Sequence, residues 1–146
     1  MDVLARIVAD MRAHAPDHIA MTGDIMNIGL PAEFPIARAW LETLGDPQRV
    51  SFTPGNHDAY VRANGPMIAD TFAPWCSSDG ETHTRFPFLR VRGEVALIGL
   101  SSAIPTAPLL ASGELGARQR AEFERMLVET GARGLFRVVM IHHPPW

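Results

Sequence analysis

Three short apolar runs each end in a polar cluster, and that repeated ending is the strongest constraint on what this chain can fold into. Ile19-Ala20-Met21-Thr22 leads into Gly23-Asp24, Val50-Ser51-Phe52-Thr53-Pro54 into Gly55-Asn56-His57-Asp58, and Val138-Val139-Met140-Ile141 into His142-His143-Pro144-Pro145. Short apolar runs bounded by turn formers read as strands. In an open α/β sheet ligands bind beyond the carboxyl ends of the strands, so side chains that hold metals or move protons belong at such positions. Three strand ends carrying carboxylates, an amide and imidazoles therefore predict one shared site.

The segments between these runs alternate helix and strand. Asp2 is placed to cap a helix in which Val3, Leu4, Ile7, Val8 and Met11 recur at helical spacing, and Pro16 follows its end. The first strand spans His18 to Thr22. A second helix runs from about Ala32 to Leu44, with Ala37, Trp40, Leu41 and Leu44 on one face and Gly45 at its end. Pro35 is tolerated there because the first turn has amides without intrahelical partners. The strand Arg49 to Thr53 follows, and Ala59 to Arg85, with Pro66, Pro74 and Asp79-Gly80, reads as an irregular loop or lid. Phe86–Arg92 and Glu94–Ser101 read as a hairpin turning at Gly93, and the run Val95 to Leu100 is apolar on both faces, which predicts a central strand. A last helix over about Gly116 to Thr130 precedes the closing strand Phe136 to Ile141. No repeat or linker interrupts the pattern, so residues 1–146 are expected to form one α/β unit.

Composition excludes several chemistries. The chain has no lysine, which removes Schiff-base catalysis and the lysine of a phosphate-binding P-loop. Net charge is -3 and the arginines are scattered, so no basic stripe indicates a nucleic-acid partner. Cys76 is the only cysteine and has no internal disulfide partner, in keeping with a reducing, cytoplasmic setting. No apolar run approaches the roughly 18 residues needed to span a bilayer, and Met1 opens onto a helical pattern without signal-peptide architecture.

Met21-Thr22-Gly23-Asp24, Pro54-Gly55-Asn56-His57-Asp58 and Ile141-His142-His143-Pro144-Pro145, in this order and at these intervals, resemble the middle motifs of the calcineurin-like metallophosphoesterases. The likeness spans nearly the whole chain. Gly-Asn-His-Asp after a strand is its most specific part. The resemblance implies a layered α/β sandwich of two mixed β-sheets with helices outside. It also implies hydrolysis of phosphate mono- or diesters by a metal-bound hydroxide at a dinuclear centre of Mn, Fe or Zn, whose ions lie about 3.5–4 Å apart. On this pattern Asp24 bridges the two metals, while Asn56 and His142 serve the second. His57 faces the substrate and stabilises or protonates the leaving oxygen, and Asp58 fixes the tautomer of His57.

Two motifs of the family pattern do not occur in the chain: an Asp-x-His on a strand before the first helix, and a Gly-His-x-His beyond the His-His-Pro-Pro segment. Asp17-His18 lacks the intervening residue and lies before its strand, so it does not substitute. The chain is thus expected to be a partial metallophosphoesterase domain, incomplete at both ends. It should hold at most one metal, weakly, and turn over phosphate esters poorly or not at all. An unpaired sheet edge left by the absent first strand predicts self-association.

Other readings stand beside this one. A truncated, non-catalytic relative would act as a binding protein. Alternatively, Gly99-Leu100-Ser101-Ser102-Ala103 imitates a degenerate nucleophile elbow of a serine hydrolase with Ser101 as nucleophile, although Pro105 and Pro108 oppose the helix that an elbow must enter. Singly, Asp24 and Asn56 are ordinary turn residues; their companions make the functional case. His143 is left between packing, contact with a substrate oxygen and, less favoured, a metal role. His14, His18 and His83 are expected to be surface or satisfied histidines, Trp40, Phe123 and Met126 core residues, Cys76 a small packing residue, and Tyr60 a packing residue beneath the lid.

Overall fold

The structure, a computed structural model, describes residues 3–106 and 110–144; the expected cap Asp2 and the prolines Pro108 and Pro145 lie outside the described residues. Among the described residues five strands and four α-helices follow in the order α1 (Val3–Ala13), β1 (Ile19–Met21), α2 (Glu33–Leu44), β2 (Val50–Phe52), α3 (Gly65–Phe72), β3 (Phe88–Arg92), β4 (Val95–Gly99), α4 (Ala117–Ala132) and β5 (Phe136–Met140). The arrangement is the expected α/β one with two sheets, of which the larger is mixed and the smaller purely parallel.

β1 and β2 pair in parallel, with Ile19 opposite Val50 and Met21 opposite Phe52, and the Thr53 N–H extends the ladder to the Met21 carbonyl at 2.9 Å. In the other sheet β4 lies between β3, its antiparallel hairpin partner, and β5, which runs parallel to it. Its central position follows from its apolar sequence: Ala96, Leu97 and Ile98 are all buried, which only a strand covered on both faces requires. Because β1 and β2 are parallel, and β4 is parallel to β5, each sheet presents two carboxyl ends on one side.

The main core lies where the β1–β2 sheet meets α2 and the segment that follows β2. Phe34 of α2 stacks on Phe72 of α3 at 5.9 Å, and Phe72 meets Phe52 of β2 edge to face at 5.2 Å. Leu41, Val50, Trp75 and Cys76 complete it. A smaller cluster of Ile98, Leu100 and Met126 packs α4 against β4. Residues 59–85 are therefore not simply a loop or lid. Pro66 falls at the start of α3, where its missing N–H costs nothing, and the apolar Ile68, Phe72 and Trp75 turn inward.

Two features run against the sequence pattern. The apolar stripe of α1 forms a helix as expected, but Val3, Leu4 and Ile7 remain exposed and only Val8 and Met11 pack against the core. Arg90 points inward from β3 and is 1% exposed. Its guanidinium donates to the carbonyls of Ser77, Pro47, Val50 and Pro74 at 2.7–2.8 Å, joining β3 to the residues around β2 and to the turn after α3. Buried charge survives there because backbone oxygens replace water. Among the described residues no helix is long and apolar enough to cross a membrane.

Candidate functional site

The loops after β1 and β2 leave the same edge and touch through glycine. Gly23 (φ 103°) and Asp24 (φ 57°) are consecutive left-handed residues that reverse the chain after β1. A Cβ on Gly23 would lie 2.4 Å from the Gly55 nitrogen, and one on Gly55 would lie 2.1 Å from Asp24 Oδ1 and 2.7 Å from His142 Cε1. The glycines are thus needed for close approach, since any side chain at these points would separate the loops. The Asp24 carboxylate then accepts the His57 backbone N–H at 3.0 Å, which ties the first loop to the second.

His142 arrives from the other sheet, two residues beyond β5. Its ring contacts the Thr22 carbonyl through Nδ1 at 2.6 Å, and because a carbonyl only accepts, Nδ1 carries the proton. Nε2 is left facing Asn56 Oδ1 at 3.2 Å and Asp24 Oδ2 at 3.3 Å. Three atoms bearing lone pairs therefore converge, one from each of the three polar strand ends. Their mutual repulsion is relieved by a second ring proton or by a cation among them. Among the described residues no three His, Cys, Asp or Glu side chains gather into a metal-holding group; here two such residues, Asp24 and His142, are joined by an amide oxygen. A carboxylate, an amide oxygen and an imidazole form a donor set suited to a divalent transition metal.

Asp58 takes a different place from the one expected. It is fully buried and accepts four backbone N–H groups: Asp24 and Gly55 on Oδ2, both at 2.8 Å, and Ile25 and Met26 on Oδ1, at 3.1 and 3.0 Å. Burial pushes its carboxyl pKa upward, against the downward pull of the Gly55, Met26 and Asp24 amides. The His57 ring instead sets its Nδ1 against the Asn27 carbonyl. The tautomer expected from an Asp58 contact is thus set by a backbone oxygen, because the four amides engage both carboxylate oxygens. Tyr60 lies beside His57 with ring centroids 6.3 Å apart.

His143 props His142 from behind. The two rings meet edge to face at 4.9 Å, and His143 Nδ1 is 2.8 Å from Ser102 Oγ, which also accepts the His143 N–H at 3.3 Å. Burial, followed by the neighbouring His142, lowers its pKa. A nucleophile elbow at Ser101 does not form. Gln119 brackets the Ser101 backbone, accepting its N–H at 2.9 Å and donating to its carbonyl at 2.8 Å, and no helix follows Ser101 among the described residues before α4.

Sequence reasoning missed Glu33, at the start of α2. Its carboxylate accepts the N–H groups of Asn27, Ile28 and Leu30, the loop that carries the carbonyl partner of His57. An acidic residue in a first helical turn was the available signal, but that position is so commonly acidic that it points to no particular role.

Two sheets whose strand ends bring lone-pair-bearing groups together describe an α/β protein with a site beyond the carboxyl ends of its strands. The family model for calcineurin-like phosphoesterase matches residues 1–146. The chain belongs to that family of metal-dependent phosphoesterases. No curated protein matches it.

Proposed function

We propose that the chain hydrolyses phosphate esters, with Asp24, Asn56 and His142 holding one divalent cation and His57 acting on the leaving group. The observation that carries this reading is the convergence of Asp24 Oδ2 and Asn56 Oδ1 on His142 Nε2, at 3.3 and 3.2 Å. A cation held by these three residues would supply positive charge to the phosphoryl oxygens and lower the pKa of water toward neutrality. Asn56 contributes an oxygen without adding negative charge that would repel the phosphate. His57 donates its Nδ1 proton to the Asn27 carbonyl, so Nε2 is the ring atom free to serve the leaving oxygen. Asp58 holds the Asp24 loop in place through backbone amides and is a positioning residue rather than a catalytic one. A reducing cytoplasmic setting fits the buried free thiol of Cys76, which donates to the Phe52 carbonyl.

Titrating Mn²⁺ into the protein by calorimetry, with parallel assays on 4-nitrophenyl phosphate and bis(4-nitrophenyl) phosphate, tests the reading. One Mn²⁺ per chain is expected, with slow hydrolysis that a chelator abolishes. Asp24→Asn and His142→Ala should each weaken Mn²⁺ binding at least about tenfold, the loss of roughly 1.4 kcal/mol expected for a direct ligand. Hydrolysis that survives chelation, with Ser101 labelled by a fluorophosphonate, would overturn it in favour of serine chemistry. Absence of Mn²⁺ uptake would leave a binding protein.

A further inference from the structure

We propose that Glu33 is a positioning residue for His57, acting through the Asn27 carbonyl; this deepens the phosphoesterase reading above and rests on it for its kinetic consequences. The Asn27 to Leu30 turn belongs to no helix or strand, and apolar burial does not hold it, since Ile28 and Leu30 are 40% and 46% exposed. Yet among the described residues it supplies the group that meets the His57 ring nitrogen Nδ1. A carbonyl on an unsupported surface turn would wander, and the imidazole would wander with it.

Glu33 provides the support. Its Oε1 accepts the Asn27 N–H at 3.2 Å, and its Oε2 accepts those of Ile28 at 3.3 Å and Leu30 at 2.7 Å. The Glu33 N–H returns the contact to the Leu30 carbonyl at 2.8 Å, so the turn closes onto the first residue of α2. Desolvation raises the carboxyl pKa, but the amides of Leu30, Ile28, Asn27 and Gly29 outweigh it and hold the group below its ordinary value, which keeps it an acceptor at neutral pH. From the far side, the buried Asn64 donates to the Gly29 carbonyl, and Gly29 (φ 65°) packs so closely that a Cβ would lie 3.0 Å from the Asp58 carbonyl oxygen and 3.2 Å from that of His57. The turn is therefore clamped between the start of α2 and the chain just beyond the Gly-Asn-His-Asp segment. Its one outward result at the site is a fixed acceptor for His57 Nδ1.

A helix cap that served only stability would not show itself in the His57 ring. The deciding measurement is the ¹⁵N NMR signature of His57 in the full chain at a fixed pH, in wild type and in Glu33→Ala and Glu33→Gln. Wild type should show His57 protonated on Nδ1. Glu33→Ala should show a mixture of tautomers, and Glu33→Gln, which keeps one acceptor oxygen, an intermediate state. An unchanged Nδ1–H signature in folded Glu33→Ala would overturn the proposal; should that variant not fold, the same result in Glu33→Gln would do so. Kinetics supply an independent readout. With KM unchanged, Glu33→Gln should lose about tenfold in kcat on an alkyl phosphate ester, whose poor leaving group needs the His57 proton, and less than about threefold on a 4-nitrophenyl ester. In a His57→Ala background the same substitution should add nothing. Equal losses on both esters, or full additivity, would mean that Glu33 acts elsewhere. If wild type hydrolyses neither ester, the phosphoesterase reading fails while the tautomer measurement still decides the role of Glu33.

Discussion

Asp24 and Asp58 follow adjacent parallel strands, yet one turns its carboxylate toward His142 with 32% of its side chain exposed and the other is fully buried on four backbone amides. The side chains are identical. What differs is the number of N–H donors each meets: the left-handed turn at Gly23-Asp24 aims the amides of Asp24, Ile25 and Met26 at Asp58, and Gly55 adds a fourth. Among the described residues Asp24 receives only the amide of His57 and keeps its second oxygen for the site. The contrast teaches that a carboxylate becomes a strut when the backbone saturates it and a ligand when the backbone leaves it hungry.

Removing each carboxylate should break the comparison most visibly. Asp58→Ala strands four amide N–H groups away from water and should lower unfolding free energy by about 3 kcal/mol or more, whereas Asp24→Asn should cost less than about 1 kcal/mol. Urea unfolding midpoints measure both, and similar values would erase the distinction. A second, smaller effect comes from Gly55→Ala. The new methyl would collide with Asp24 Oδ1 and with the His142 ring, so Mn²⁺ affinity should fall about tenfold while stability drops by only about 1–3 kcal/mol. Unaltered Mn²⁺ binding in that variant would show that Asp24 does not need its present position.

The smallest effect lies at the other end of β1. His18 bonds through Nε2 to Ser51 Oγ at 2.8 Å, and its pKa is lowered from 6.5 to about 4, first by burial and then by Arg92 and Arg90. The folded chain therefore holds this ring neutral while the unfolded chain protonates it. Stability tied to His18 is complete above the unfolded pKa near 6.5 and is lost as pH falls toward about 4. After discounting for its partial exposure, that loss should be on the order of 1–2 kcal/mol. His18→Gln should flatten the stability curve across this window, and the difference between the two curves isolates the ring from the carboxylates that titrate nearby. Burial of Asp58 is made good by four donors; burial of His18 leaves Nδ1 without a partner, so only the neutral form is tolerated.

Much of the scaffold could be read from the chain. Alternating apolar runs and helical stripes located every strand and all but one of the α-helices to within a few residues, because strand burial and helix amphipathicity are local patterns. α3 was hidden in residues 59–85, where prolines look like breakers until one of them falls at a helix start. Neither the buried Arg90 nor the exposed face of α1 had a local signal. In the site, the meeting of Asp24, Asn56 and His142 was foreshadowed by three polar strand ends, while the partners of Asp58 and of the His57 ring were not.

By itself the amino-acid order determined which residue types stand at the strand ends, since side-chain chemistry and turn preference are written position by position. Parallel pairing of β1 and β2 then placed two of those ends side by side, the second sheet brought the third, and only the folded chain decided which backbone amides and carbonyls face each group. Asp58 and His57 are neighbours in sequence and do not pair, because hydrogen-bond donors and acceptors supplied by the main chain carry no residue identity. Their positions exist only once the Gly23–Leu30 and Gly55–Asp58 loops have closed on each other.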